Sequence, residues 1–131
     1  MEPPKSAEIF KTSNSEYWFD EGVLFVIMKN APPPPLEEQK RQIEEFKQKL
    51  NGKKICCIMD FTNASYSPSS SESRQYNSIE MPKIFNSIAM VSSNSFTRML
   101  AHLFLGFSTP TVPFKVFSNE EEAREWIKQY L

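Results

Sequence analysis

The sequence predicts an α/β fold: a mixed, mostly parallel β-sheet of about five strands with about four helices. Three observations carry that prediction. The unbroken apolar runs "VLFVIM" and "ICCIM" have the length of strands covered on both faces. Segments with helical periodicity, bounded by proline, asparagine-glycine or serine, separate such runs. The resulting order, β-β-β-α-β-α-β-α-β-α, alternates strands with helices as a parallel sheet requires, with an antiparallel portion at its N-terminal side.

Taking the elements in order, residues 1–5 read as a frayed, disordered tail. "SAEIFKTS" and "EYWF" are strand candidates separated by polar residues around Asn14, and Glu21-Gly22 is a turn before "VLFVIMK". Prolines 32 to 35 cannot lie inside a helix, but the last can open one. From there Leu36, Ile43, Phe46 and Leu50 share one face of an amphipathic surface helix that Asn51-Gly52 stops. "KKICCIMDF" is the next strand, ending at Asp60. Ser69 to Glu72 has the spacing of a capping box, with Ser69 at the cap. The helix it opens has few apolar residues, chiefly Tyr76 and Ile79, so shallow burial is expected, and Pro82 ends it. "SIAMVSS" (87–93) is an inner strand. Asn94 can cap "SFTRMLAHLFLGF", whose Phe96, Met99, Leu100, Leu103, Phe104 and Phe107 form a broad apolar face. "FKVFS" is the last strand. Ser118 to Glu121 is a second capping-box candidate, before a helix that buries Ala123, Trp126, Ile127 and Tyr130.

Composition bounds the function. The 131 residues are 40% hydrophobic and 24% charged, which is ordinary for one globular domain spanning 1–131. The net charge of −1 argues against nucleic acid as partner. No apolar run is long enough to span a membrane, and "MEPPKSAEIF" does not read as a secretory leader. Cys56 and Cys57 are adjacent on a strand, so they point to opposite faces and do not pair with each other. Unpaired cysteines suit a reducing, cytoplasmic compartment.

The element order, and the stretch "IMDFTNASYSPSS" above all, resembles the STAS-like (SpoIIAA-like) family, the domain of anti-sigma-factor antagonists and of the cytoplasmic tails of sulfate transporters. Asp60-Phe61-Thr62 matches the family's strand end, and Ser69 falls where the antagonists carry their phosphorylated serine. Pro68 stands where the family has aspartate, and Ser71-Glu72 replaces a glycine and an apolar residue. The C-terminal half is similar to a group of uncharacterised bacterial STAS-like proteins. The resemblance implies a non-enzymatic regulatory or protein-interaction module of unknown specific function, acting through a protein partner.

The candidate residues keep two readings each. Ser69 and Ser70 can cap a helix or hold or receive a phosphate at its N-terminus, since both uses need only free N–H groups. Asp60 lies where open α/β sheets place ligand residues, but an aspartate there also braces its own loop. With Thr62 and Glu72 these form the expected interaction or phosphorylation surface. His102, the only histidine, shares a helix face with Arg98, and no nucleophile or carboxylate in the sequence makes it a general base. One histidine and two divergent cysteines do not make a zinc set, and no cofactor is implied. Both cysteines read as core. Leu105 beside Arg98 leaves that helix apolar nearly all round. Leu105 is either a lone exposed leucine, which is common, or with Phe107 and with Phe10, Tyr17, Trp18 and Phe19 it covers a homodimer interface or an apolar-ligand pocket, in which last case the chain is a small apolar-ligand or lipid carrier.

Overall fold

The computed structural model describes residues 1–64, 70–95 and 112–131. Six strands form one sheet in the order of the chain: β1 (Phe10–Lys11), β2 (Ser15–Asp20), β3 (Val23–Met28), β4 (Ile55–Asp60), β5 (Phe85–Val91) and β6 (Phe114–Phe117). The first three pair antiparallel and the rest parallel. The sheet has six strands, as the element order read from the sequence has, against the round figure of about five, and the "SAEIFKTS" candidate contributes only a two-residue edge strand. Three α-helices are described: α1 (Leu36–Leu50), α2 (Ser71–Ile84) and α3 (Glu120–Ile127), with a 3-10 turn at Lys128–Tyr130. The fourth expected helix, residues 95–107, lies outside the described residues except for Ser95.

Strand β4 is threaded between β3 and β5, which explains its unbroken apolar sequence. Its pleat sends Cys56 to one face and Cys57 to the other. The Cys56 face packs Trp18, Phe25, Ile58, Ala89 and Val91 against Ala123 and Ile127 of α3. The Trp18 and Phe25 rings stack at 5.6 Å. On the Cys57 face, Leu24, Val26, Ile55 and Ile88 meet Phe46 and Leu50 of α1 and Met81 of α2. Parallel crossovers that advance in one direction with one hand deliver their helices to one face, and α1 and α2 share this one.

The helix ends follow elementary chemistry, with one-residue shifts from the sequence reading. Asn51 takes a left-handed conformation (φ 53°) and its N–H closes α1 onto the Lys47 and Gln48 carbonyls. Ser70, not Ser69, caps α2: its Oγ accepts from the Ser73 N–H at 3.1 Å. Glu72 then sits second in the helix, where it meets the positive end of the dipole but cannot close a capping box. Likewise Asn119, not Ser118, caps α3 through the Glu122 N–H. Pro82 does not end α2, which runs on to Ile84. A proline so near a helix end forfeits one hydrogen bond to the preceding turn, and the buried Ile84 anchors the last turn.

Candidate functional site

The C-terminal ends of β4 and β5 form a tied polar edge. The Phe61 N–H bonds the Val91 carbonyl at 3.0 Å, extending the ladder one residue past β4. Asp60 Oδ1 accepts from the Thr62 N–H at 2.9 Å, an Asx turn that brackets the loop. Thr62 Oγ1 in turn accepts from the Ser93 N–H at 3.1 Å, tying the loop after β4 to the loop after β5. Ser92, fully buried, accepts from the Asn94 N–H and donates to the Asn94 carbonyl. The other carboxylate oxygen of Asp60 lies 3.9 Å from the amino group of Met1, whose side chain packs on the Cys56-face core. Residues 1–5 carry no strand or helix.

Asp60 therefore braces its own loop, the simpler of its two readings from sequence, and Thr62, named there only as part of an interaction surface, ties that loop to Ser93. Ser70 is engaged as a cap, while Ser70, Ser71 and Glu72 are all exposed at the start of α2. Ser69, Arg98, His102 and Leu105 lie outside the described residues. The structure brings Asp60, Thr62, Ser92, Ser93 and Asn94 to one edge. The sequence marked the first two for this surface and Asn94 only as a helix cap, since nothing local announces that β5 ends beside β4.

The N-terminal aromatics divide. Trp18 is core, at 2% exposure, and does not line an interface, because strand alternation points it away from Tyr17 and Phe19. Phe10, Tyr17 and Phe19 gather with Phe46 of α1 on the opposite face, at centroid distances from 5.1 to 6.2 Å. There the sheet, α1 and the end of α2 enclose a cleft of about 710 Å³. An apolar pocket was expected under residues 96–107, which lie outside the described residues, and the N-terminal strands. The described cleft keeps those strands as one wall, through Phe10 and Tyr17, but its roof is Phe46, Met81 and Ile84.

Helix α2 also turns a different side inward from the one expected. Ile79 is 55% exposed, while Ser73, Glu80 and Ile84 are buried. Glu80 forms an ion pair with Lys47 of α1, and Lys83 stands 3.6 Å from its other oxygen. Hydrogen bonding to Lys47 holds the Glu80 carboxyl below the usual glutamate range and raises Lys47 in return. Burial holds the Cys57 thiol far above its usual range, which leaves it inert as a nucleophile. Among the described residues no His, Cys, Asp and Glu cluster has the makings of a metal site, and no helix is long and apolar enough to cross a membrane.

Comparison with known families adds the decisive fact. The family model described as a domain of unknown function, DUF7793, matches residues 17–131. The chain belongs to the DUF7793 family. Its matched region leaves out β1 and the residues before it. Among solved structures, this DUF7793 chain is similar to an uncharacterised protein of the DUF3478 family with a SpoIIAA-like fold, from Shewanella loihica PV-4. The likeness covers 92% of this chain and 91% of the other at 15% identity, with a TM-score of 0.52. A comparison with curated proteins gives no match. The fold is SpoIIAA-like, as the Asp60-Phe61-Thr62 stretch implied, and at this identity the likeness speaks for the fold alone.

Proposed function

We propose that this DUF7793 chain is a non-enzymatic cytoplasmic module that binds a regulatory protein partner through the tied edge at Asp60–Thr62 and the start of α2, with self-association into a homodimer as part of its working state. The supporting observation is the contrast at that edge. The backbone after β4 is fixed by the Asp60, Thr62 and Ser93 bonds, while Ser70, Ser71 and Glu72, the next described residues after that loop, stand exposed at the N-terminus of a 14-residue helix. A fixed frame carrying exposed hydroxyls is suited to recognition whose strength changes when a phosphate is added, because a helix N-terminus accommodates the new charge.

The test uses Ser69→Asp and Ser70→Asp. Aspartate caps a helix about as well as serine, so Ser70→Asp leaves stability nearly unchanged and isolates the effect of charge. A partner recovered by photocrosslinking from position 72 should change affinity for both variants by about tenfold or more, the scale of one charge-assisted hydrogen bond. Unchanged affinity in both variants would refute the switch, and sedimentation of the free chain as a monomer throughout would refute the dimer.

A further inference from the structure

The cleft on the Cys57 face is a second candidate site, independent of the edge just described. Its volume of about 710 Å³ lies within the range of small-molecule pockets, about 300–1,000 Å³. Its inner wall is apolar: Leu24, Val26, Ile84 and Phe85, closed on the outside by Phe46 and Phe10. Its rim is charged, and the state of those charges decides what fits.

Two of the rim's three acids and one of its cations are already spent on each other. Arg41 bonds both Glu38 and Glu45 within α1. Glu80, the third acid, is taken by Lys47. Lys11, at the edge strand, faces Glu16 at 3.8 Å. Lys49 differs. Its ammonium donates to the Tyr17 hydroxyl at 2.7 Å and lies 3.8 Å above the centre of the Phe10 ring, with no carboxylate within salt-bridge distance among the described residues. It is exposed, so its charge is held at the mouth by an aromatic seat and a phenol rather than by an anion.

We infer that this cleft binds a small amphiphile with a single anionic headgroup, the headgroup on Lys49 and the apolar body against Leu24, Val26 and Phe85. Charge complementarity sets the orientation. On the α2 side Lys47 and Lys83 are already engaged by Glu80, whereas Lys49 over β1 and β2 faces no carboxylate among the described residues, so the head stays there. A cationic ligand lacks a counter-charge that is not already paired. The residues of the β1 side, 9 to 13 and 15, precede the region the family model matches, so this part of the wall is not a feature of that region.

The test titrates the full chain by calorimetry with octanoate, octanol and octylammonium. Octanoate should bind saturably at one site. Lys49→Met should weaken octanoate by about tenfold or more while leaving octanol within about twofold, as expected for loss of one charge-assisted contact. Lys49→Arg keeps the charge and should retain octanoate, which guards against a fold defect in the methionine variant. No saturable heat with octanoate overturns the inference. So does equal weakening of octanoate and octanol in Lys49→Met, or octylammonium binding as tightly as octanoate. A dimer that buries the cleft and that octanoate fails to dissociate would assign the face to a second copy instead, and would also overturn it.

Discussion

The two faces of the sheet are built from the same strands yet end in different states. On the Cys56 face, α3 sets Ala123 and Ile127 directly onto Ile58 and Ala89, and Trp18 and Phe25 are stacked and sealed. On the Cys57 face, α1 has no buried residue at all, and α2 buries a serine and a glutamate as well as an isoleucine. The difference teaches a division of labour. Both faces hold buried strand residues, but among the described residues only the Cys56 face has a helix that buries apolar side chains alone against them. The open face is held at arm's length by charges and aromatics, and that spacing creates the cleft.

The sharpest way to break this comparison is to truncate one aromatic on each face. Trp18→Ala removes a sealed side chain and should cost about 3–5 kcal/mol, close to the whole stability of a small domain. Phe46→Ala removes a half-buried ring beside the cleft and should cost about 1–2 kcal/mol, since much of its area already faces water. Urea midpoints at constant slope measure both. Equal losses would mean that the cleft face is packed as tightly as the other.

The next effect concerns how the open face is held. Glu80→Gln removes the charge that binds α2 to Lys47 of α1. The Glu80 side chain is 12% exposed and that of Lys47 is 29% exposed, so the cost should lie between surface and buried pairs, about 1–2 kcal/mol at neutral pH. The pair also sets a pH window. Lys47 lowers the folded-state pKa of Glu80, so its stabilisation is present above the ordinary glutamate value of about 4.3 and is lost as pH falls through the lowered one. Lys47 is raised, so its share is present below the ordinary lysine value of about 10.4 and is lost as pH rises through the raised one. Glu80→Gln should therefore flatten both limbs of the stability profile. Trp18→Ala should lower the profile without changing its shape.

Why the sequence exposes one face and hides the other is visible in particular residues. Cys56 and Cys57 were legible as core because adjacent residues on a central strand must each find an apolar face. Leu36, Ile43, Phe46 and Leu50 were legible as one stripe because 3.6-residue periodicity depends only on the helix itself. Glu80 was not legible: a buried carboxylate needs a partner, and Lys47 lies 33 positions away with no local pattern linking them. The tie from Thr62 to Ser93 was hidden for the same reason. Both caps were placed one residue early, since Ser69 to Glu72 and Ser118 to Glu121 have capping-box spacing while Ser70 and Asn119 beside them can cap as well, and only the packing of the helix chooses between neighbours. That choice can be measured. Ser70→Ala and Asn119→Ala should each cost about 1 kcal/mol, because each deletes an oxygen that satisfies a helix N–H. Ser118→Ala should cost less than Asn119→Ala, and the reverse order would restore the capping box at Ser118.

The smallest expected effect has the opposite sign and probes the packed face for a flaw. Ser87 is fully buried on β5, opposite Cys56 in the parallel register, and its Oγ has no hydrogen-bond partner among the described residues. A hydroxyl taken out of water without a partner costs free energy, while a methyl group in its place costs none. Ser87→Ala should therefore be neutral or stabilising by up to about 1 kcal/mol, the only core truncation here expected to help. Glu80, the buried polar group of the open face, would respond in the other direction because its partner is present. If Ser87→Ala instead destabilises the chain by more than about 1 kcal/mol, the hydroxyl is engaged, and the packed face depends on a polar contact just as the open one does.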